Sequence, residues 1–194
     1  MHTALLRDGL RARPVDRASL RAATGLTMAE VRAALTALHG AGAIYLEAGA
    51  ISAAYPFSFQ PTLHRISIHG VTLFACCAVD ALAVPPMCAT AAEVASACGH
   101  CGAPIRVMMH GELVFGARPE TPVVFYPSRE CCEAGPAVLT RCPHINFFCG
   151  RDHAARWQAA RPDLQGTVFT LGEAAAFARD HFAAIIQAVR LGDQ

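Results

Sequence analysis

The sequence predicts an α+β fold in two parts. Residues 1–62 form a winged-helix-like helical domain, and residues 63–194 form a mostly antiparallel sheet domain with flanking helices. Three features predict it. The first forty residues carry capped stretches with apolar residues at helical spacing. From about residue 105, short apolar runs of strand length alternate with turn residues. A long amphipathic pattern then closes the chain from about residue 173 to 191.

The elements follow in order. Asp16 is placed to cap a helix running to about Thr24, and Gly25 makes a turn. Thr27 caps the next helix, with Val31, Ala34, Leu35 and Leu38 on one face and a stop at Gly40. Two apolar runs, 43–46 and 50–54, flank Ala48-Gly49 and read as a hairpin, so the unit is a helix-turn-helix with a wing. Residues 64–69 alternate as a strand. The apolar segment around Cys77 reads as a helix ending at Pro85-Pro86, and residues 98–102 as a tight loop. Strands are expected at 105–109, 112–115, 122–126 and 144–148, and a short helix carrying Trp157 after Asp152. In the last helix Phe177, Phe182, Ile185, Ile186 and Val189 form a stripe, read as a core contact.

Composition bounds the function. With 54% hydrophobic and 16% charged residues, the chain can build a real core and is not a disordered one. A net charge of +1 supplies no field for nucleic acid or an acidic surface. The basic residues other than His are all Arg, a composition bias with no functional message. Nine cysteines without a visible export signal in residues 1–10 point to a reducing cytoplasm, and so to metal-binding or catalytic thiols over a disulfide framework. Between His69 and Glu93 the only charge is Asp80. The Pro85-Pro86 break and the mid-span acid make this a buried helix and not a membrane span.

That isolated acid draws attention to Cys77. On a helix, residues three apart share a face, so the Cys77 thiol and the Asp80 carboxyl can point into one site. A second isolated thiol, Cys142, follows in Arg141-Cys142-Pro143-His144. The plain reading is two core thiols and a capped acid. Against it, a carboxyl is costly to bury without a partner or a task. Two thiols beside a proton-carrying carboxyl suit chemistry on a soft metal bonded to carbon.

The stretch from Leu73 to Pro85, with its Cys77-Ala78-Val79-Asp80 core, resembles the organomercurial (alkylmercury) lyase family. The resemblance continues through Ala92-Glu93-Val94, Cys98 and Gly102-Ala103-Pro104, then through Cys142, His144 and Phe147-Phe148. The amino-terminal helix-turn-helix, led by Arg13-Pro14-Val15, is similar to that family's first domain. The resemblance implies protonolysis of a carbon–mercury bond, with Cys77 and Cys142 as thiolate ligands of mercury and Asp80 as proton donor and third metal-site residue. It also implies that no cofactor is required, that Hg(II) is held as product, and that low-molecular-weight thiols or a mercuric reductase accept the metal. Cys76 stands where an aromatic residue is expected, and Pro143 where some members carry a second Cys; both bear on substrate range. The alternative is a non-catalytic homologue that binds or senses a soft metal. A carrier has no need of a buried proton donor.

The remaining motifs carry less. Cys98-Gly99-His100-Cys101 is half of a zinc pattern. Its only compact second half would be Cys131-Cys132, so a structural loop is the favoured reading. Cys131-Cys132 is read as an incidental loop pair over a metal relay, and Cys88 and Cys149 as core or near-core thiols. The would-be recognition helix, 28–39, has Arg32 as its only strong cation and also carries Glu30. No nucleic acid partner is therefore expected, and the unit is read as a structural or lid-like domain.

Overall fold

The computed structural model describes residues 1–13, 15–132 and 134–190, except the Cys131 side chain. Pro14, part of the amino-terminal resemblance, and Leu191, the expected end of the last helix, lie outside the described residues. The chain is α+β, and among the described residues each strand pairing is antiparallel.

The amino-terminal part opens with α1 (His2–Leu10), a helix that no side-chain cap marks in the sequence. Next come α2 (Arg17–Thr24) and α3 (Met28–Gly40). Asp16 caps α2 by accepting the Ser19 N–H at 2.8 Å, and Gly25 ends it with φ +70°. Thr27 and Glu30 form a reciprocal capping box on α3. Strands β1 (Ile44–Glu47) and β2 (Ala50–Ala54) pair through Ala48-Gly49, both at positive φ as a tight hairpin turn requires. Glu30 is thus spent on the cap, and the one strong cation of α3, Arg32, is exposed.

The hairpin does not stand apart. It joins β3 (Phe57–Ser58), β4 (His64–Ile68), β5 (Val71–Ala75), β6 (Ala91–Ala97), β7 (Pro104–His110) and β8 (Leu113–Arg118). Together they form an eight-stranded sheet ordered β1-β2-β3-β5-β4-β6-β7-β8. A second sheet, β10-β9-β11, is built from β9 (Val123–Pro127), β10 (Asn146–Phe148) and β11 (Gly166–Thr170).

Helix α4 (Ala78–Cys88) is the central element, buried throughout from Ala78 to Met87. Two expectations are corrected here. The apolar run before Cys77 is strand β5, and the helix begins one residue after Cys77. The helix also does not stop at Pro85-Pro86 but carries both prolines inside its last turn. A proline removes an amide and crowds the preceding turn. Near the carboxyl end only the final hydrogen bonds are affected. Arg190 donates from Nε to the Pro86 carbonyl at 2.8 Å, giving that buried acceptor a partner. Burial on every side then overrides local propensity.

Helices α5 (Ala137–Thr140), α6 (Arg151–Ala159), α7 (Leu171–His181) and α8 (Ala183–Arg190) complete the fold. The long closing pattern is thus two helices. Thr170 and Glu173 make a capping box on α7, and Phe182 separates it from α8. The expected stripe splits accordingly: Phe182, Ile186 and Val189 are buried, whereas Phe177 is half-buried and packs edge-on to Tyr126 at 4.9 Å. No helix among the described residues is long and apolar enough to cross a membrane.

Candidate active site

The site is assembled where α4 begins. Cys77 is the N-cap of α4, in extended conformation, and its Sγ accepts the Asp80 N–H at 3.4 Å. The pairing of Cys77 with Asp80 follows from capping geometry, since position N3 of a helix points its amide at the cap side chain. Shared-face spacing inside a helix is not the cause.

Cys142 arrives from a distant segment. A 3-10 turn, Cys142–His144, leads into β10, closed by the His144 N–H on the Arg141 carbonyl at 2.9 Å. The Ala78 N–H, an otherwise open donor in the first turn of α4, binds the Ile145 carbonyl at 3.1 Å. That bond ties the start of α4 to the Cys142 turn. The Cys142 thiol then donates to Asp80 Oδ2 at 3.8 Å. One ligand atom each from Cys77, Asp80 and Cys142 lies within 4.8 Å of the others, and all three residues are buried.

Burial sets the electrostatics. It pushes the Asp80 carboxyl up to about 7, against hydrogen bonds from the Cys77 and Cys142 thiols that pull it down. Burial also pushes the Cys77 thiol well above its ordinary value, aided by the neighbouring Cys142 thiol and the Asp80 charge. Burial thus favours the neutral forms of the Cys77 thiol and the Asp80 carboxyl. A thiophilic ion would displace the thiol protons, since thiolate is the ligand form.

The raised carboxyl has a consequence for stability. The folded state holds the Asp80 proton more tightly than the unfolded chain, whose carboxyl titrates near 3.8. The resulting stabilisation is complete below about pH 4, falls as pH rises, and is gone above about 7. Denaturant unfolding across this range should show the parent losing stability relative to Asp80→Asn. Parallel pH curves for the two proteins would mean that the carboxyl is not shifted.

The three groups open on a cavity of about 250 Å³. Its walls include Tyr55, Tyr126, Arg141, His181, Phe182 and Ile185. Tyr55 accepts the Val138 N–H at 2.8 Å, and the Arg141 guanidinium lies 5.9 Å from the centre of the Tyr126 ring. His2, Gly42 and Ala43 also reach it from the first sixty residues. Neither these nor Tyr55, Tyr126 and His181 stand out in the sequence, because no local pattern marks residues that meet only in three dimensions; Phe182 and Ile185 stand out there only as part of an apolar stripe.

Cys76 stays apart from the three. Its thiol donates to the Phe57 carbonyl at 3.4 Å, and burial pushes it far up. Cys132 donates to the Ser128 carbonyl at 3.8 Å, and its neighbour's side chain, that of Cys131, lies outside the described part. The Cys98-Gly99-His100-Cys101 loop is the departure from expectation. Among the described residues it is grouped with Cys149 and His153. The four-residue spacing of Cys149 and His153 at the entry to α6 was the available signal.

Residues 57–183 match the family model described as alkylmercury lyase. The chain is 27% identical over 150 residues to an alkylmercury lyase of Staphylococcus epidermidis, covering 77% of this chain and 67% of that protein. It is 30% identical over 151 residues to an alkylmercury lyase of Streptomyces lividans, with the same coverage. It also resembles the solved mercury-bound form of MerB2, with 26% identity and a TM-score of 0.79 over 97% of this chain and 91% of that one.

Proposed function

The chain belongs to the alkylmercury lyase family, and we propose from this premise that it splits the carbon–mercury bond of organomercurials with Cys77, Cys142 and Asp80. The observation that carries this reading is the buried trio of two thiols around one carboxyl raised to about 7. The chemistry balances without a cofactor. An organomercurial held by an external thiolate exchanges onto Cys77 and Cys142. One thiol proton leaves with the external thiol. Asp80 protonates the carbon as its bond to mercury breaks. The second thiol proton passes from Cys142 to the resulting Asp80 carboxylate across their hydrogen bond, leaving a hydrocarbon, Hg(II) between two thiolates and a reprotonated Asp80.

Mercury is soft, and thiolate is its preferred ligand. The carbon leaves as a strong base, so a proton must arrive with its departure. A carboxyl near 7 holds that proton at neutral pH, which an ordinary Asp does not. A carrier or sensor gains nothing from such a group, and this favours the enzyme. External thiols or a mercuric reductase would take the Hg(II) in the cytoplasm. The test is to incubate the protein with an organomercurial and excess thiol. Hydrocarbon and inorganic mercury are expected; mercury bound without hydrocarbon would return the protein to the carrier reading.

Residues 1–62 are read as a winged-helix-like lid on the catalytic part, 63–194. His2, Gly42, Ala43 and Tyr55 of that unit line the cavity. A net charge of +1 and one exposed Arg on α3 leave it a poor reader of DNA. No salt-sensitive, sequence-selective gel shift is expected with promoter DNA, and such a shift would revive the sensor.

A further inference from the structure

We propose that Cys98, Cys101, Cys149 and His153 bind one zinc ion at a structural centre separate from the mercury site. The first pair comes from the loop between β6 and β7, and the second from the junction of β10 and α6. Each residue offers one ligand atom, and the four atoms lie within 4.8 Å of one another. The Cys101 and Cys149 sulfurs are 3.9 Å apart, and Cys98 Sγ is 3.4 Å from His153 Nδ1. Tetrahedral zinc with ordinary bond lengths sets ligand edges of about 3.8 Å between sulfurs and about 3.6 Å from sulfur to nitrogen. Both separations therefore already suit an ion at the centre. Three thiolates and one imidazole make the closed, water-free set of structural zinc sites.

The backbone is arranged for it. The loop is held by the Cys98 N–H on the Ala103 carbonyl and the Gly102 N–H on the Cys98 carbonyl, each at 2.8 Å, with Gly102 at φ +71°. The Cys149 N–H donates to the Cys98 sulfur at 3.4 Å, tying the two ligand segments together at the candidate centre. Gly99 permits the approach of the second segment. A Cβ there would lie 3.0 Å from the Phe148 ring and 3.2 Å from Asn146 Cβ. Its N–H binds the Phe147 carbonyl at 2.9 Å. The ion would fasten the large sheet to β10, the strand that continues from the Cys142 turn. It would thus hold the catalytic turn in place without touching substrate.

The full-length protein, produced with zinc in the medium and desalted, should carry about one zinc per chain. Cys77→Ser with Cys142→Ser should keep that zinc, and Cys101→Ser with His153→Ala should lose it. Should the latter pair fail to fold, titrating the chelator-stripped parent with Co(II) decides the matter. The strong visible bands of a tetrahedral thiolate site are expected at one equivalent. Chelation should also lower the thermal midpoint, as loss of a ligand of the folded state must. A parent that binds neither zinc nor Co(II) overturns the proposal. So does zinc lost with Cys77 and Cys142 but kept without Cys101 and His153. A mass lower by two hydrogens, locating a Cys101–Cys149 disulfide in freshly reduced and zinc-loaded protein, would likewise replace the metal site with a redox pair.

Discussion

Asp80→Asn is expected to bind the organomercurial and yet release hydrocarbon roughly 10²–10⁴-fold more slowly, the usual scale of a lost general acid. The substitution keeps the shape of the side chain and its place in the first turn of α4. It removes the proton that burial keeps on the carboxyl up to about pH 7. The two thiols remain 62 and three residues away in sequence and adjacent in space. Binding and chemistry should therefore separate in a single turnover, with mercury on the protein and little hydrocarbon evolved. Cleavage at the parent rate would mean that the proton comes from a thiol or from water. Loss of mercury binding together with cleavage would make Asp80 a metal ligand or an anchor for Cys142.

Cys77→Ser and Cys142→Ser should each abolish turnover, for the same chemical reason but with different structural consequences. Hydroxyl is hard and scarcely ionised, so it cannot replace thiolate on mercury. At position 77 the change is gentle to the fold. The side chain caps α4, and serine is among the preferred caps, so the helix start survives. Cys77→Ala, which loses the cap, should cost about 0.5–2 kcal/mol of stability in addition to activity. Comparing the two by denaturant unfolding separates cap from ligand. At position 142 the thiol donates to Asp80, and a hydroxyl can do the same, so Cys142→Ser should also fold. Near-normal turnover in either serine variant, with an unchanged circular dichroism spectrum, would remove that cysteine from the mercury site.

Local chemistry alone determined much of this protein. Asp16, Thr27 and the Ala48-Gly49 turn mark their elements because caps and tight turns are written in neighbouring residues. Cys77 and Asp80 are three apart, and both capping geometry and helical spacing bring such residues together. A solitary acid in an apolar stretch announces itself in any sequence. The elements that were missed are those without local punctuation or with ambiguous periodicity. Strand β5 merges with the apolar run of α4, and period cannot divide a buried strand from a buried helix. The positive-φ pair His69-Gly70 was the one local clue to that hairpin. The helix through Pro85-Pro86 exists because surrounding elements bury it from all sides. Only tertiary structure decided the rest. Cys142 reaches Asp80 through the bond from the Ala78 amide to the Ile145 carbonyl, 67 residues away. The carboxyl is raised to about 7 only because the packed chain buries it. In the same way Cys149 and His153 meet the Cys98 loop across two sheets. Sequence names the groups that can do chemistry, but proximity and solvent exclusion belong to the folded chain.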